Sequence, residues 1–392
     1  MARAAVGAPR SLGLLAELVA LPTVAGKPNR ELVDLIAGRL GRAGAAVAVL
    51  PGSSRADGFN LHVRVGPAVD GGVVLAAHTD VVAVDGQKWH SDPFALHAEG
   101  ERLHGRGTSD MKGFVAAAVA AAERACSLPL RRPLTLALSC DEELGCAGVG
   151  TLLDMLAGEA VRPGLCVVGE PTGQRVADRH KGKVRLRVDV RGRAVHSATA
   201  PAGVNAVTYA ARMIVALDEL ARDLATGARD PAFGVPHATL SIGPITGGTS
   251  TNIVPDRCGF EFELRTLPGH DGEAVLFEAR AAAAGLSEEM RATAPEAGIE
   301  LSALSAYPGL APAASTVEVA TAFGLDGSAT GTIAVDFGTE AGLYREALGV
   351  PVVVCGPGDM ARAHRADEYV EAGELAAAER LLDRIVDGLC AA

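Results

Sequence analysis

Aromatic side chains are scarce in this 392-residue chain, at 4% of the sequence with one tryptophan. So few flat rings leave little to stack on bases, which counts against a single-stranded nucleic-acid surface. Positive charge is also in deficit: 36 Lys and Arg face 47 Asp and Glu, a formal net charge of −11. That balance argues against nucleic acid or an anionic membrane as partner. The seven cysteines include no CxxC pair and are odd in number. They fit free thiols in a reducing compartment better than a disulfide framework. Long apolar runs are missing as well. Residues 114–122 are too few and too Ala-rich to span a bilayer, and 12–21 are interrupted by Glu17. The apolar positions of 12–21 recur at helical spacing after Ser11, which fits an N-cap, so this is an amphipathic first helix rather than a signal-peptide core. A soluble, cytoplasmic protein is expected.

What the chain has is apolar material and length. Hydrophobic residues make up 48%, and 392 residues suit two domains. In the first half, short apolar runs at 45–49, 61–65, 73–77, 134–139 and 165–168 alternate with helical patterns at 31–43 and 111–125. Near-continuous apolar strands between helices imply an α/β layer structure, with a mainly parallel sheet buried on both faces. The pattern changes after His180. Residues 184–190 (VRLRVDV) alternate apolar and charged side chains, the mark of a strand with one wet face. Helices at 205–220 and 270–284 and strands near 238–242, 258–264 and 299–304 complete a smaller α+β unit. Buried-strand character returns at 352–355, followed by a terminal helix at 374–389. The expected organisation is a discontinuous domain, 1–181 and 308–392, with a second domain inserted at 182–307.

Five acidic or imidazole segments stand where strands of the first domain should end. His78-Thr79-Asp80 closes the run 73–77, and Glu142-Glu143 follow the strand ending at Ser139. Glu170 follows 165–168, His364 follows 352–355, and Asp110 precedes a helix. In open α/β sheets the carboxyl ends of the strands converge on one crevice. Each residue alone has a plainer reading: a structural histidine, a helix cap at Asp110, solvated glutamates. Together they form an N/O donor set that suits Zn²⁺ or a related divalent ion at a catalytic site. A serine or cysteine nucleophile fits poorly. No G-x-S-x-G occurs, and Cys140 lies in an anionic stretch that raises a thiol pKa.

The segments LAAHTDVV (75–82), GRGTSDMKG (105–113), SCDEELGCAG (139–148), VVGEPT (167–172) and CGPGDMARAH (355–364) resemble the family of dizinc aminoacylases and carboxypeptidases. That family includes acetylornithine deacetylase and succinyl-diaminopimelate desuccinylase. The resemblance runs nearly end to end and implies a catalytic domain with an inserted lid and dimerisation domain. It implies two Zn²⁺ per subunit, which Co²⁺ can replace, bridged by Asp110. His78 and Glu170 would hold one, Glu143 and His364 the other. Asp80 would orient His78 through its free ring nitrogen. Glu142 would be the general base, taking a proton from the activated water and delivering it to the leaving amine.

In the inserted domain, Gly192–Ala198 resembles the family's G-R-x-x-H-S segment. The family's histidine there reaches the active site of the other subunit of a homodimer, which assigns that role to His196. Asn252, in a T-N-x-x-P segment, and Arg265 would contact substrate, Arg265 through its carboxylate. Thr339 is a further substrate-binding candidate, and its segment, 338–344, with 200–206 and 355–364 looks most like the acetylornithine deacetylase branch. The implied reaction is hydrolysis of an N-acyl amino acid, foremost N2-acetyl-L-ornithine to L-ornithine and acetate. A desuccinylase, a dipeptidase or aminoacylase of the same mechanism, and a non-catalytic amino-acid binder are the alternatives. Glu340 is a candidate partner for the substrate side-chain amine, or a charge in a helix first turn. Cys140 and Ala83 depart from the branch's usual aromatic and proline.

Overall fold

In the computed structural model, residues 8–270, 272–312, 319, 322 and 331–391 are described. The expected segment 308–392 therefore includes 313–318, 320, 321, 323–330 and 392, which lie outside the described residues, as does residue 271 in the expected helix 270–284. The chain divides into two compact units. One is His180–Gly309 with Val335–Gly338, and the other is built from the segments before, between and after these.

The first unit is organised by an eight-stranded sheet. Its strands are β1 (Ala46–Pro51), β2 (Phe59–Val65), β3 (Val73–His78), β6 (Leu134–Ser139), β7 (Leu165–Pro171), β8 (Val176–His180), β13 (Thr332–Val335) and β14 (Val352–Gly356). They lie in the order β1-β2-β6-β3-β7-β14-β8-β13. The central neighbours β6, β3, β7 and β14 run parallel, while β1, β2 and β8 pair antiparallel. Every residue of β3, β6, β7 and β14 is buried, as continuous apolar strands between helical layers require.

Helices α1 (Leu12–Val19), α2 (Arg30–Arg42), α3 (Lys112–Ala125), α4 (Gly150–Gly158), α7 (Ala341–Leu348) and α8 (Ala372–Val386) flank this sheet. The alanines of α3 leave it thin enough to be buried on nearly all sides, between the sheet and α8. Ser11 takes the N-cap position of α1, but its hydroxyl donates to Glu379 on α8 at 2.6 Å instead of capping the helix. A three-stranded antiparallel sheet, β15 (Tyr369–Glu371), β5 (Arg102–His104) and β4 (His97–Glu99), completes the unit.

The second unit is a four-stranded antiparallel sheet, β10 (Thr239–Gly247), β11 (Arg257–Thr266), β9 (Gly182–Arg191) and β12 (Gly298–Tyr307), in that order. Leu186, Val188, Val190, Phe260, Phe262 and Leu264 point to one face. There they pack against α5 (Ala206–Thr226) and α6 (Glu273–Thr293) through Ala210, Met213, Leu217, Leu276, Ala279 and Met290. The alternate residues Arg185, Arg187, Asp189 and Glu261 form the charged opposite face.

Candidate metal centre

The four parallel strands end along one edge of the first unit's sheet. His78 is the last residue of β3 and Glu170 the penultimate residue of β7. Residues 140–143 leave the end of β6, the loop to His364 leaves β14, and Asp110 stands two residues before α3. Close packing beneath them is built into the sequence. A Cβ at Gly169 would lie 2.0 Å from Cδ1 of Phe114 on α3, so only glycine lets the helix sit against β7 beside Glu170.

His78 Nε2 lies 3.0 Å from Asp110 Oδ1 and 3.8 Å from Glu170 Oε1. His364 Nε2 lies 3.1 Å from Asp110 Oδ2 and 3.0 Å from Glu143 Oε1. Each set, His78-Asp110-Glu170 and Asp110-Glu143-His364, offers donor atoms that all fall within 4.8 Å of one another. Asp110 belongs to both and turns one oxygen to each histidine. It does not cap α3, whose N-cap position is Met111 without a side-chain bond.

Burial raises Asp110, but its hydrogen bonds to His364 and His78 outweigh that and hold it well below the usual carboxylate range. At Glu170 the balance runs the other way: burial and the Asp110 charge push it well up against the pull of His78. Burial works to lower His78, yet Asp110 and Asp80 carry it well above the ordinary imidazole value. Asp110 and Glu143 raise His364 to about 10. Three crowded carboxylates with only two imidazoles for relief ask for added positive charge. Two N and three carboxylate donors at this spacing fit a pair of borderline divalent cations.

Asp80 approaches His78 differently from expectation. The nearest oxygen to His78 Nδ1 is the Asp80 carbonyl, at 3.0 Å, with the carboxylate Oδ1 at 3.6 Å. The carboxylate instead accepts the backbone N–H groups of Glu142 and Glu143, each at 3.1 Å. Asp80 thus ties the end of β3 to the segment after β6. Burial pushes Glu142 up to about 8, against the pull of His78 and with the push of Glu143, Glu340 and Asp80. Cys140 is driven up to about 12, by burial first and by Asp141 and Asp80 after it, which rules out a ready thiolate.

Two sequence-predicted residues of the first unit are already engaged. Thr339 is fully buried, and its hydroxyl accepts the Ala341 N–H at 2.9 Å as α7 begins. Glu340 is buried behind the site, where Oε2 accepts the Ser139 hydroxyl at 2.9 Å. The other candidates lie in the second unit. His196 and Asn252 are exposed on adjoining loops, joined by a bridge between His196 and Ile253 and by the Ser197 N–H to the Asn252 carbonyl at 2.9 Å. Arg265 Nε donates to Glu263 at 2.6 Å and Nη1 to the Tyr307 hydroxyl at 3.2 Å.

Residues 74–388 match peptidase family M20/M25/M40. The chain belongs to that family. It is accordingly a hydrolase. It is 31% identical to an acetylornithine deacetylase of Edwardsiella ictaluri (strain 93-146), over 97% of this chain and 98% of that one. It is 33% identical to an acetylornithine deacetylase of Myxococcus xanthus over the same shares of the two chains, 97% and 98%. In structure it is similar to the M20 family metallo-carboxypeptidase Sso-CP2 of Sulfolobus solfataricus, with TM-score 0.77, 16% identity, and 97% and 99% of the chains covered. The mixed, mainly parallel sheet with flanking helices and a separate antiparallel sheet is the architecture of that relative.

Glu368 escaped the sequence reading. Its carboxylate gathers the backbone N–H groups of Gly107, Ser109 and Asp110 and the guanidinium of Arg106, all between 2.6 and 3.0 Å. The signal was present, an acid four residues beyond His364 and an arginine inside GRGTSDMKG, but nothing in the sequence pairs the two.

Proposed function

We propose that the chain is a cytoplasmic amidohydrolase that cleaves N-acyl amino acids, foremost N2-acetyl-L-ornithine to L-ornithine and acetate, a step of arginine biosynthesis. The observation that carries this reading is the pair of donor sets sharing Asp110, with Glu142 directly beside the donor Glu143. Likeness to acetylornithine deacetylases over nearly the whole chain supports the choice of substrate.

His78, Asp110 and Glu170 would hold one Zn²⁺ and Asp110, Glu143 and His364 a second, with Co²⁺ as a substitute. Two such ions supply Lewis-acid polarisation of the amide carbonyl and a lowered pKa for water at the site. Glu142 is the general base: its carboxylate takes the proton from the attacking water and returns it to the departing amine nitrogen. Asp80 fixes Glu142 and Glu143 by their backbones. The 182–307 segment acts as lid and dimerisation domain to the catalytic 1–181 and 308–392. His196, with Nδ1 accepting the Ala198 N–H at 3.1 Å, keeps its proton on Nε2. That proton can be donated to the developing oxyanion in the site of a second copy. Arg265 serves the substrate carboxylate, and Asn252 and Thr339 are the further substrate-binding residues.

A panel of N-acetylornithine, N-succinyl-diaminopimelate, other N-acyl amino acids and simple dipeptides tests the assignment. The expected result is the highest kcat/KM on N-acetylornithine. A preference of tenfold or more for a dipeptide or a succinylated substrate would move the chain to another branch of the family.

A further inference from the structure

The donors of the two sets stand on unequal supports. His78 is paired with Ser139 in the ladder of β3 and β6, and Glu170 stands in β7 between Val168 and Pro171, which are paired with β14. His364 is in a loop, with its side chain 47% exposed, and its backbone adopts a left-handed φ of +60°, a conformation a non-glycine residue keeps only when its surroundings impose it.

Gln87 is hydrogen-bonded to that backbone. Its amide oxygen accepts Arg106 Nη2 at 2.6 Å and Trp89 Nε1 at 3.1 Å. Its amide nitrogen donates to the His364 carbonyl at 3.2 Å. The two donors at Oε1 fix which way the amide points, because a flipped amide would set its N–H₂ against two N–H groups. Arg106, 1% exposed, also reaches Glu368 at 2.6 Å through Nη1. Glu368 in turn holds the Ser109 and Asp110 N–H groups at 2.9 Å each. Arg106 therefore stands between two arms, one through Glu368 to the backbone of Asp110, the other through Gln87 to the backbone of His364.

We infer that Gln87 is a positioning residue that presets His364 against Asp110 for the second metal ion, and that without its donor that ion alone binds weakly. The inference rests on the two-ion reading above. Outer groups that orient metal donors are worth about 10- to 100-fold in affinity. The His78 half gains its order from the sheet and needs no such device.

The test is a Zn²⁺ titration by calorimetry and a Co²⁺ titration by visible absorption, on chelator-stripped full-length protein. His364→Ala marks the binding step that belongs to that half. Gln87→Glu keeps an acceptor for Arg106 and Trp89 but removes the N–H₂ donor. Gln87→Met removes the donor without adding charge. In both variants the step marked by His364→Ala should weaken about 10-fold or more. The other step should stay within about twofold, and in Gln87→Glu, which keeps the acceptor for Arg106, the unfolding midpoint should stay near wild type. If Gln87→Glu or Gln87→Met binds both ions with wild-type affinities, Gln87 is only a support for Arg106 and the inference fails. Equal weakening of both steps also overturns it. A wild-type protein that takes up one ion or none overturns the two-ion reading itself, and this inference with it.

Discussion

Cys146 donates its thiol hydrogen to Oε1 of Glu142, with Sγ and Oε1 3.4 Å apart. The residue sits at φ +58° on a turn that its own N–H closes onto the Glu142 carbonyl at 2.7 Å. One oxygen of the proposed base is thereby restrained, leaving the other for water. Cys146→Ala should lower kcat about threefold to tenfold, the scale of one lost hydrogen bond of about 0.5–1.5 kcal/mol, with bound metal unchanged. Cys146→Ser should recover most of the loss. Cys146→Gly relaxes the backbone but lacks the donor, so it should resemble Ala. Wild-type kcat in the Gly variant would show that the position matters for its backbone alone.

The two adjacent glutamates should separate cleanly. Glu142→Gln keeps the size of the side chain and removes the proton acceptor, so kcat should fall by roughly 10²–10⁴ while metal content holds. Glu143→Gln should instead lose metal, because its Oε1 is one of three donors in the set with Asp110 and His364. Elemental analysis beside kinetics decides the matter, and the reverse pattern would exchange the two roles.

Activity should vanish on chelation and return with Zn²⁺ or Co²⁺. The crowding of Asp110, Glu143 and Glu170 further predicts that the stripped protein unfolds at lower urea than the loaded one, since an ion bound only by the folded state adds its binding free energy to stability. Full activity in protein shown by elemental analysis to hold no metal would end the metallohydrolase reading.

How much of this was legible in the sequence differs from element to element. β3, β6, β7 and β14 announce themselves as near-continuous apolar runs, and with them the strand ends that carry His78 and Glu170. The half-wet β9 is equally plain from its alternation. Three-residue strands such as β4, β5 and β15 are too short for any period to show, and β8 (VADRH) carries too much polarity to look buried. α6 runs on to Thr293, beyond the expected 284, because nothing in Gly285–Arg291 stops a helix already packed on the sheet. Hidden most deeply are the long-range polar pairs. Arg106 and Glu368 are 262 positions apart, and Gln87 and His364 are 277 apart. Their partnership is a product of the fold, and single residues of these types carry no mark of it.

Stability should depend on pH through His180, the last residue of β8. Burial lowers it to about 4, with the Lys181 carbonyl opposing and Arg265 assisting. Unfolded, it would titrate near the ordinary imidazole value of about 6.5. Between those limits the unfolded chain binds more protons than the folded one, so stability rises with pH across the window. Its contribution is full above about pH 6.5, is lost progressively as pH falls from there, and is gone by about pH 4, worth up to about 3 kcal/mol. Urea unfolding between pH 7 and pH 4 should show a steeper loss in wild type than in His180→Gln. Parallel curves would mean that His180 does not carry the dependence.

The last expectation concerns two copies of the chain. β10 and β12 are the edges of the second unit's sheet, and an open edge is suited to pair with its twin in a symmetric dimer. If His196 serves the partner's site, His196→Ala should lower kcat with little change in metal content or unfolding midpoint. The decisive measurement mixes Glu142→Gln with His196→Ala, each nearly inactive, under conditions that exchange subunits. In a mixed dimer one site carries both defects and the other carries neither. Random exchange makes about half the dimers mixed, so activity should climb to about one quarter of wild type. Exchange without any recovery would confine His196 to its own subunit or remove it from the reaction. A chain that is fully active as a monomer would dispose of the shared site altogether.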